Sequence, residues 1–247
     1  MSIPLTPARE LPEEVALALL TDAELTVEGQ LVEASNATLY CAASNGEVTA
    51  ACVYKPSMGE RPLWDFPDGT LSHRELAAYE ISRYSGWAIV PPTVLRDGPF
   101  GPGMVQLWIE VDEEIELLTV LRDVHSLQLR RIALLDCVIN NADRKGSHVL
   151  PTRSGHLYGV DHGVSFHVEP KLRTLLWHWA GEELTEPELA ELELLTRGLA
   201  SDLGDRLGEL LSAAEIDATC RRVQELTATR RFPDPPQDRH AIPWPPI

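Results

Sequence analysis

The most informative segment of the sequence reads Asn140-Asn141-Ala142-Asp143-Arg144-Lys145-Gly146-Ser147-His148. It follows an apolar helical pattern and precedes two short apolar pieces that predict a β-hairpin. Asp143 is followed five residues later by His148, which is the spacing of catalytic carboxylate and metal ligand in phosphoryl-transfer loops. A second acidic turn, Val160-Asp161-His162-Gly163, follows the hairpin, where an Asp-x-Gly metal-binding turn belongs.

Two charged residues upstream complete the set that phosphoryl transfer needs, namely a cation for the phosphates, metal ligands and a carboxylate for the attacking hydroxyl. Lys55 ends a predicted strand, where a phosphate-holding lysine belongs, and Glu75 lies twenty residues later on the next predicted helix, in place to pair with it. Glu80 on the same helix is the reserve candidate. Glu75 is also the expected partner in a capping box opened by Ser72.

Each residue taken alone has an ordinary interpretation. Asp143-Arg144 could be a surface turn with a local ion pair, Lys55 a strand-end lysine, and His148 a satisfied loop histidine. Asp161 before Gly163 could be a plain turn. All five residues in this order, each on the right kind of element, make coincidence an improbable explanation.

The set resembles the phosphatidylinositol 3-/4-kinase superfamily, most of all the type II phosphatidylinositol 4-kinases and their small bacterial relatives. The resemblance spans roughly residues 50–170, about half the chain, and its most specific elements are Lys-Pro and Asn-x-Asp-Arg. The resembling stretches are Val53-Tyr54-Lys55-Pro56, Leu71-Ser72-His73-Arg74-Glu75-Leu76-Ala77-Ala78-Tyr79, Ile89-Val90-Pro91-Pro92-Thr93, Asn140-Asn141-Ala142-Asp143-Arg144 and Asp161-His162-Gly163-Val164-Ser165-Phe166.

The resemblance implies a two-lobed kinase fold that uses ATP and magnesium. It implies that Lys55 contacts the phosphates, that Glu75 holds Lys55, that Asp143 is the catalytic carboxylate and that Asp161 is a metal ligand. His148 stands where that superfamily usually has asparagine. An imidazole nitrogen suits manganese or zinc better than magnesium, so the expected metal is Mg²⁺ or Mn²⁺, held by His148 and Asp161.

The nucleotide should also contact a phosphate loop and an adenine site. The loop around Asn36 has no glycine, but its backbone N–H groups could still approach phosphate. Backbone edges near Gln106, Leu107 and Trp108 are expected to meet the adenine. Leu150 and Val160 are expected to line its floor, and all these residues could equally be simple core residues.

Composition narrows the class of partner. The chain has 38 acidic and 21 basic residues and a formal net charge of -17, so its surface should repel nucleic acid and anionic lipid. We therefore expect no nucleic-acid partner and no stable membrane association. The paired arginines Arg221-Arg222 and Arg230-Arg231 are interpreted as a solvated helix face, with a substrate-docking patch as the alternative. Four scattered cysteines and no signal peptide predict a reducing, cytoplasmic compartment.

The element pattern predicts an α+β fold in two lobes, and the resemblance implies that this fold is protein-kinase-like and of the atypical kind. Residues 1–110 are expected to form an N-lobe with an antiparallel sheet of five strands, and residues 111–231 a mainly helical C-lobe that is helical throughout 185–229. The tail, residues 232–247, has six prolines and should be either a disordered end or an extended strap.

The predicted function is transfer of the ATP γ-phosphate to a hydroxyl of a protein or a small soluble acceptor. Two alternatives remain open at this point. The first is a nucleotide-binding regulatory protein that has lost turnover, suggested by His148 and the glycine-free loop. The second is a transferase that moves AMP with the same residues.

Overall fold

The chain divides into two structural units, and the structure, a computed structural model, describes residues 11–31 and 37–247 of it. The first unit comprises Met1–Tyr79 and Pro91–Glu110, and the second comprises Glu80–Val90 and Val111–Ile247. The functional division into lobes at residue 110 stays a prediction.

A five-stranded antiparallel sheet forms the first unit, with the strand order β1-β2-β3-β5-β4. Its strands are β1 Glu24–Gln30, β2 Leu39–Ser44, β3 Thr49–Pro56, β4 Thr93–Gly98 and β5 Gly101–Leu107. Short turns join β2 to β3 and β4 to β5, as consecutive antiparallel strands allow. The sequence pattern predicted these five strands within a few residues at each end.

Strand β3 shows why the sheet presents a lysine on one face. Cys52, Tyr54 and Pro56 are buried, whereas Val53 and Lys55 alternate with them and are partly exposed, as the two-residue period of a strand requires. The neighbouring strand passes very close at Gly103, where an added Cβ would lie 2.4 Å from the Lys55 carbonyl oxygen. Only glycine therefore fits beside Lys55 without moving the backbone.

Two α-helices accompany the sheet, α1 Glu13–Asp22 and α2 Leu71–Tyr84, and a 3-10 turn covers Ser57–Gly59. The Arg96 guanidinium on β4 donates to the carbonyl oxygens of Leu20 and Ala23 at 3.1 and 2.8 Å. These carbonyls end α1, and a cation there satisfies acceptors that the helix itself cannot.

The second unit is mainly helical. Its helices are α3 Leu117–Leu121, α4 Leu127–Ile139, α5 Glu186–Leu199, α6 Asp202–Gly208 and α7 Ala213–Thr229, with 3-10 turns at Gly146–His148 and Trp177–Trp179. A two-stranded hairpin pairs β6 Val149–Pro151 with β7 Leu157–Gly159, as the sequence predicted.

The prediction that residues 185–229 are helical throughout is wrong only at two short breaks, which separate three consecutive helices in this span. Ser212 caps α7 in a reciprocal capping box with Glu215, and Thr185 caps α5 in the same way with Glu188. A capping serine takes a non-helical backbone, so Ser212 starts a new helix rather than continuing the old one.

A buried ion pair joins α4 to α5 within this unit. The Arg130 Nε donates to Glu188 Oε1 at 2.6 Å, and both side chains are more than nine-tenths buried. The guanidinium also lies 4.7 Å from the centre of the Phe232 ring, which adds a cation–π contact. Arg130 thus connects two helices to the first residue of the Pro-rich tail.

The tail lies along the second unit as an extended segment. The Ala241 carbonyl accepts from the Thr174 amide at 3.0 Å and from the Trp177 indole at 2.9 Å. The Pro246 carbonyl accepts from the Gly146 amide at 2.8 Å. The sequence left open a disordered end or an extended strap, and the structure shows the extended strap.

Candidate active site

Lys55 and Glu75 form an ion pair within the first unit. The Lys55 Nζ lies 2.8 Å from Glu75 Oε1, and the glutamate side chain is almost fully buried. Strand β3 supplies the lysine at its end and helix α2 supplies the glutamate from its first turns. The pair holds a cation in a defined place on the sheet, which is what a phosphate-binding lysine requires.

The capping box expected at Ser72 is absent, because a different residue satisfies the start of α2. The helix begins at Leu71, and the Glu60 carboxylate accepts from the amides of Leu71 and Ser72 at 3.1 and 3.0 Å. Glu60 precedes the helix by eleven residues. No local capping motif therefore indicated that it would cap α2. Glu75 lies on the same helix and pairs with Lys55. Glu80, the reserve candidate, pairs with Arg206 instead.

A left-handed residue ends helix α4 and starts the Asp143 loop. Asn140 has φ +55°, and its side-chain amide donates to the carbonyl oxygens of His167 and Glu169 at 2.9 and 2.7 Å. Asparagine tolerates this backbone region better than most residues. Asn141 next to it accepts from the Asp143 amide through Oδ1 at 3.0 Å. The two asparagines of the quoted motif therefore shape the loop.

Arg144 pairs with Asp136 and not with its neighbour Asp143. Both side chains are fully buried, and the guanidinium makes three bonds of 3.0–3.1 Å to the Asp136 carboxylate. Arg144 also donates to the Val160 carbonyl at 2.8 Å and contacts His162 Nε2 at 2.7 Å. The surface turn with a local Asp143-Arg144 ion pair is therefore excluded. Arg144 instead ties the Asp143 loop to the Asp161 turn.

Asp143 is half-buried and faces two cations. Its Oδ2 lies 3.1 Å from Lys145 Nζ. Burial raises the pKa of the Asp143 carboxyl, and the hydrogen bond and charge of Lys145, followed by the charge of Arg173, oppose that rise in the pKa. The net direction is upward, which favours proton acceptance relative to an ordinary aspartate.

Arg173 lies beside the loop because the two chain segments pair. Its amide donates to the Asn141 carbonyl at 2.9 Å, and its carbonyl accepts from the Arg144 amide at 3.0 Å. Its Nε is buried and has no hydrogen-bond partner within residues 11–31 and 37–247. A buried guanidinium donor near a reactive carboxylate suits an anionic group such as phosphate.

His148 and Asp161 lie close enough to share one ion. His148 Nε2 is 3.3 Å from Asp161 Oδ2, and Asp161 has a left-handed backbone with φ +61°. A nitrogen and a carboxylate oxygen are too few for a metal held by protein alone, and no cluster of three or more metal-binding side chains occurs in the described ranges. The pair fits a divalent ion that also takes nucleotide oxygens.

The residues predicted for adenine are distributed over both units. The amides of Leu107 and Trp108 already donate to the carbonyls of Pro92 and Ala51, at 2.9 and 3.0 Å. Gln106 is buried and donates through its side chain to Thr93. Leu150 and Val160 are half-buried in the second unit. Asn36 lies outside the described residues.

The sequence has a relative that is similar over nearly its whole length. It is 44% identical over 262 residues to protein Rv2133c of Mycobacterium tuberculosis (strain ATCC 25618 / H37Rv), which covers 92% of this chain and 94% of that protein. The chain belongs to the Rv2133c family. No protein-family model matches the sequence.

Solved structures show the fold that the Rv2133c family member adopts. The Golgi casein kinase with Mn/ADP bound aligns with a TM-score of 0.60 at 14% identity, over 88% of this chain and 75% of that one. Hydra Fam20 with sugar gives 0.58 at 14% identity over 87% of each chain. The Helicobacter pylori proinflammatory kinase CtkA gives 0.50 at 11% identity, over 85% and 94%. The predicted α+β, two-lobed, atypical-kinase fold class is confirmed.

Three residues of this Rv2133c family member were missed by sequence reasoning, namely Asp136, Lys145 and Arg173. Lys145 had a usable signal, since it stands two residues after Asp143 and both side chains can reach each other. Asp136 lay in a helix and Arg173 beyond the hairpin, so only the folded chain brings them to the loop.

In the described ranges no helix is long and apolar enough to cross a membrane.

Proposed function

We propose that the chain is an ATP-dependent phosphotransferase that moves the γ-phosphate to a hydroxyl of a protein or small soluble acceptor. The observation that carries the proposal is the Lys55–Glu75 ion pair of 2.8 Å, formed from a strand end and the following helix. A buried glutamate fixes the position of its lysine partner, and phosphoryl transfer requires a lysine held in this way to contact the phosphates. The kinase-like fold supports the same reading.

Each unit supplies a defined set of groups to the proposed reaction. Lys55 contacts the phosphates, and Glu75 positions Lys55. In the second unit Asp143 orients the acceptor hydroxyl and takes its proton as the oxygen attacks the γ-phosphorus and ADP leaves. Lys145 and Arg173, which face Asp143, offset the charge of the transferred group.

The nucleotide base is proposed to meet the chain just beyond strand β5. Because the Leu107 and Trp108 amides already donate within the first unit, Ile109 and Glu110 are better placed to offer backbone groups to adenine. Gln106 is then a supporting residue rather than a contact. Leu150 and Val160 remain proposed floor residues, and Val53 shares a strand face with Lys55.

His148 and Asp161 are proposed to hold Mg²⁺ or Mn²⁺ together with phosphate oxygens. A bound divalent ion would neutralise phosphate charge during transfer. The Golgi casein kinase structure with Mn/ADP supports nucleotide with metal in this fold. The superfamily resemblance suggests a phosphatidylinositol 4-kinase-like site, but the net charge of -17 favours a soluble acceptor over an anionic membrane.

The deciding experiment follows which end of ATP is transferred. Protein is incubated with γ-labelled or α-labelled ATP and either metal, and label is counted in the protein, in added acceptor protein and in free phosphate. Transfer of γ label alone is expected, with Asp143→Asn reducing it about 100-fold or more. The matched control, Asp202→Asn, changes an exposed aspartate and should leave transfer unchanged.

Each other outcome assigns one of the competing functions. Transfer of α label with release of pyrophosphate would make the chain an AMP transferase. ATP binding without transfer of either label would make it a nucleotide-binding regulatory protein. Lys55→Met tests whether Lys55 contacts the phosphates. If it does, the variant should show a smaller preference for ATP over adenosine than the parent protein.

A further inference from the structure

A cavity of about 850 Å³ lies within the second unit, and its lining does not include Asp143, His148 or Asp161. Its lining includes residues of helix α7, Asn140 at the end of α4 and several tail residues between Phe232 and Arg239. Hydrogen bonds anchor the tail near both ends of that span, at Phe232 and at Ala241. A cleft of this size is large enough to hold a small ligand.

Two neighbouring arginines of α7, Arg221 and Arg222, line the cavity without a carboxylate partner. No ion pair reaches either of them within residues 11–31 and 37–247, although Glu225 is one turn away. The other lining arginines differ, since Arg231 pairs with Glu183 and Arg239 with Asp238.

Arg222 is held in place by neutral acceptors. Its guanidinium donates to the carbonyl oxygens of Val138 and His167, at 2.9 and 3.3 Å, and to Thr219 Oγ1 at 2.8 Å. Burial and the charge of Arg221 lower the pKa of the Arg222 guanidinium to about 10. The group therefore remains cationic at neutral pH, and an anion beside it would offset the repulsion from Arg221.

The rest of the lining is largely apolar and includes aromatic rings. Val168, Leu172, Trp177, Leu226 and Phe232 supply these surfaces. Glu225, Asp234 and Asp238 also line the cavity and would repel a ligand that carried many negative charges. An apolar body with a single anionic group matches such a lining, because apolar surface supplies affinity and a few polar groups fix orientation.

We propose that this cavity binds a small organic anion, with its phosphate, sulfate or carboxylate group on Arg221 and Arg222 and its apolar body against Trp177 and Phe232. The site is separate from the proposed nucleotide site. It adjoins the start of the Asp143 loop, because Arg222 and Asn140 both donate to the His167 carbonyl. A ligand there would stabilise the arrangement from which that loop begins.

The test uses 8-anilinonaphthalene-1-sulfonate, whose fluorescence rises in apolar sites, and its neutral analogue N-phenyl-1-naphthylamine. Saturable binding of one sulfonate probe per chain is expected, with the neutral probe about tenfold weaker or more, since a charge-assisted contact is worth about that factor. ATP with magnesium should not displace the probe. Added salt should weaken binding of the sulfonate more than binding of the neutral probe.

Arg221→Glu is the deciding variant, because Arg221 is exposed and its side chain has no structural hydrogen bond among the described residues. It should weaken sulfonate binding at least tenfold. Arg197→Glu, the same change on the exposed face of α5, should leave binding as in the parent protein. Equal loss in both variants, equal binding of the two probes, displacement by ATP, or absence of saturable binding would each overturn the proposal.

Discussion

Replacing Asp136 by asparagine should be among the most damaging single changes in the second unit. Asp136 accepts bonds from Asn141 at 2.9 Å, from Arg144 at 3.0–3.1 Å and from Thr174 at 3.2 Å, and neither it nor Arg144 is exposed to solvent. Asparagine keeps the shape but removes the charge. It leaves the Arg144 guanidinium buried without a counter-charge, and part of its amide faces other donors.

The expected loss is about 3–5 kcal/mol in the free energy of unfolding, the usual cost of breaking a buried ion pair from one side. With a urea m-value of about 2 kcal/mol per M, this lowers the unfolding midpoint by about 2 M. The assay is urea unfolding followed by tryptophan fluorescence, since Trp177 and Trp179 report on this unit. Asp202→Asn is the matched control: its side chain is exposed, so it should cost less than about 1 kcal/mol.

A double variant separates charge from packing. Asp136→Leu with Arg144→Met removes both charges, so it should cost less than the sum of the two single changes. The reasoning is refuted if Asp136→Asn costs no more than Asp202→Asn. It is also refuted if the double variant loses as much as the single losses added together, because the two side chains would then act independently.

Three further predictions concern the tail, acid stability and the metal. Deleting residues 240–247 removes the carbonyl acceptors of the Gly146 and Thr174 amides. Hydrogen exchange at these two amides should therefore accelerate. Unchanged exchange would show that the tail does not stabilise the Asp143 loop. Burial tends to raise the pKa of Glu188, but bonds from Arg130 and Thr185 outweigh it and lower the pKa below its ordinary value of 4.5. The contribution of Glu188 to the free energy of unfolding is therefore present above pH 4.5 and is lost as the pH falls through the lowered pKa. Urea unfolding measured at several pH values should show this loss in the parent protein and not in Glu188→Gln. His148→Asn should shift the relative metal preference in ATP binding from manganese toward magnesium, and an unchanged ratio would remove His148 from the proposed metal site.

Local sequence patterns were enough to predict the strands, most of the helices and the order of the candidate residues. The two-residue period of β3, which alternates Cys52 and Tyr54 with Val53 and Lys55, is a local signal and survives in the fold. The helix over 127–138 and the hairpin after His148 carried equally local signals. The kinase-like fold class was predicted from the candidate residues on these elements and from the superfamily resemblance that they carry.

The pairing of the charged groups could be read only from the folded chain. Glu60, eleven residues before Leu71, took the capping position expected of Glu75. Arg144 pairs with Asp136 and not with its neighbour Asp143. Arg173, which follows the hairpin in the sequence, forms backbone hydrogen bonds with the Asp143 loop. The tail became a strap through single hydrogen bonds at Ala241 and Pro246. Periodicity predicts which face of an element is buried, but it carries no information about the partner. A buried charge is stable only beside one particular counter-charge, and only the folded chain brings that counter-charge into contact.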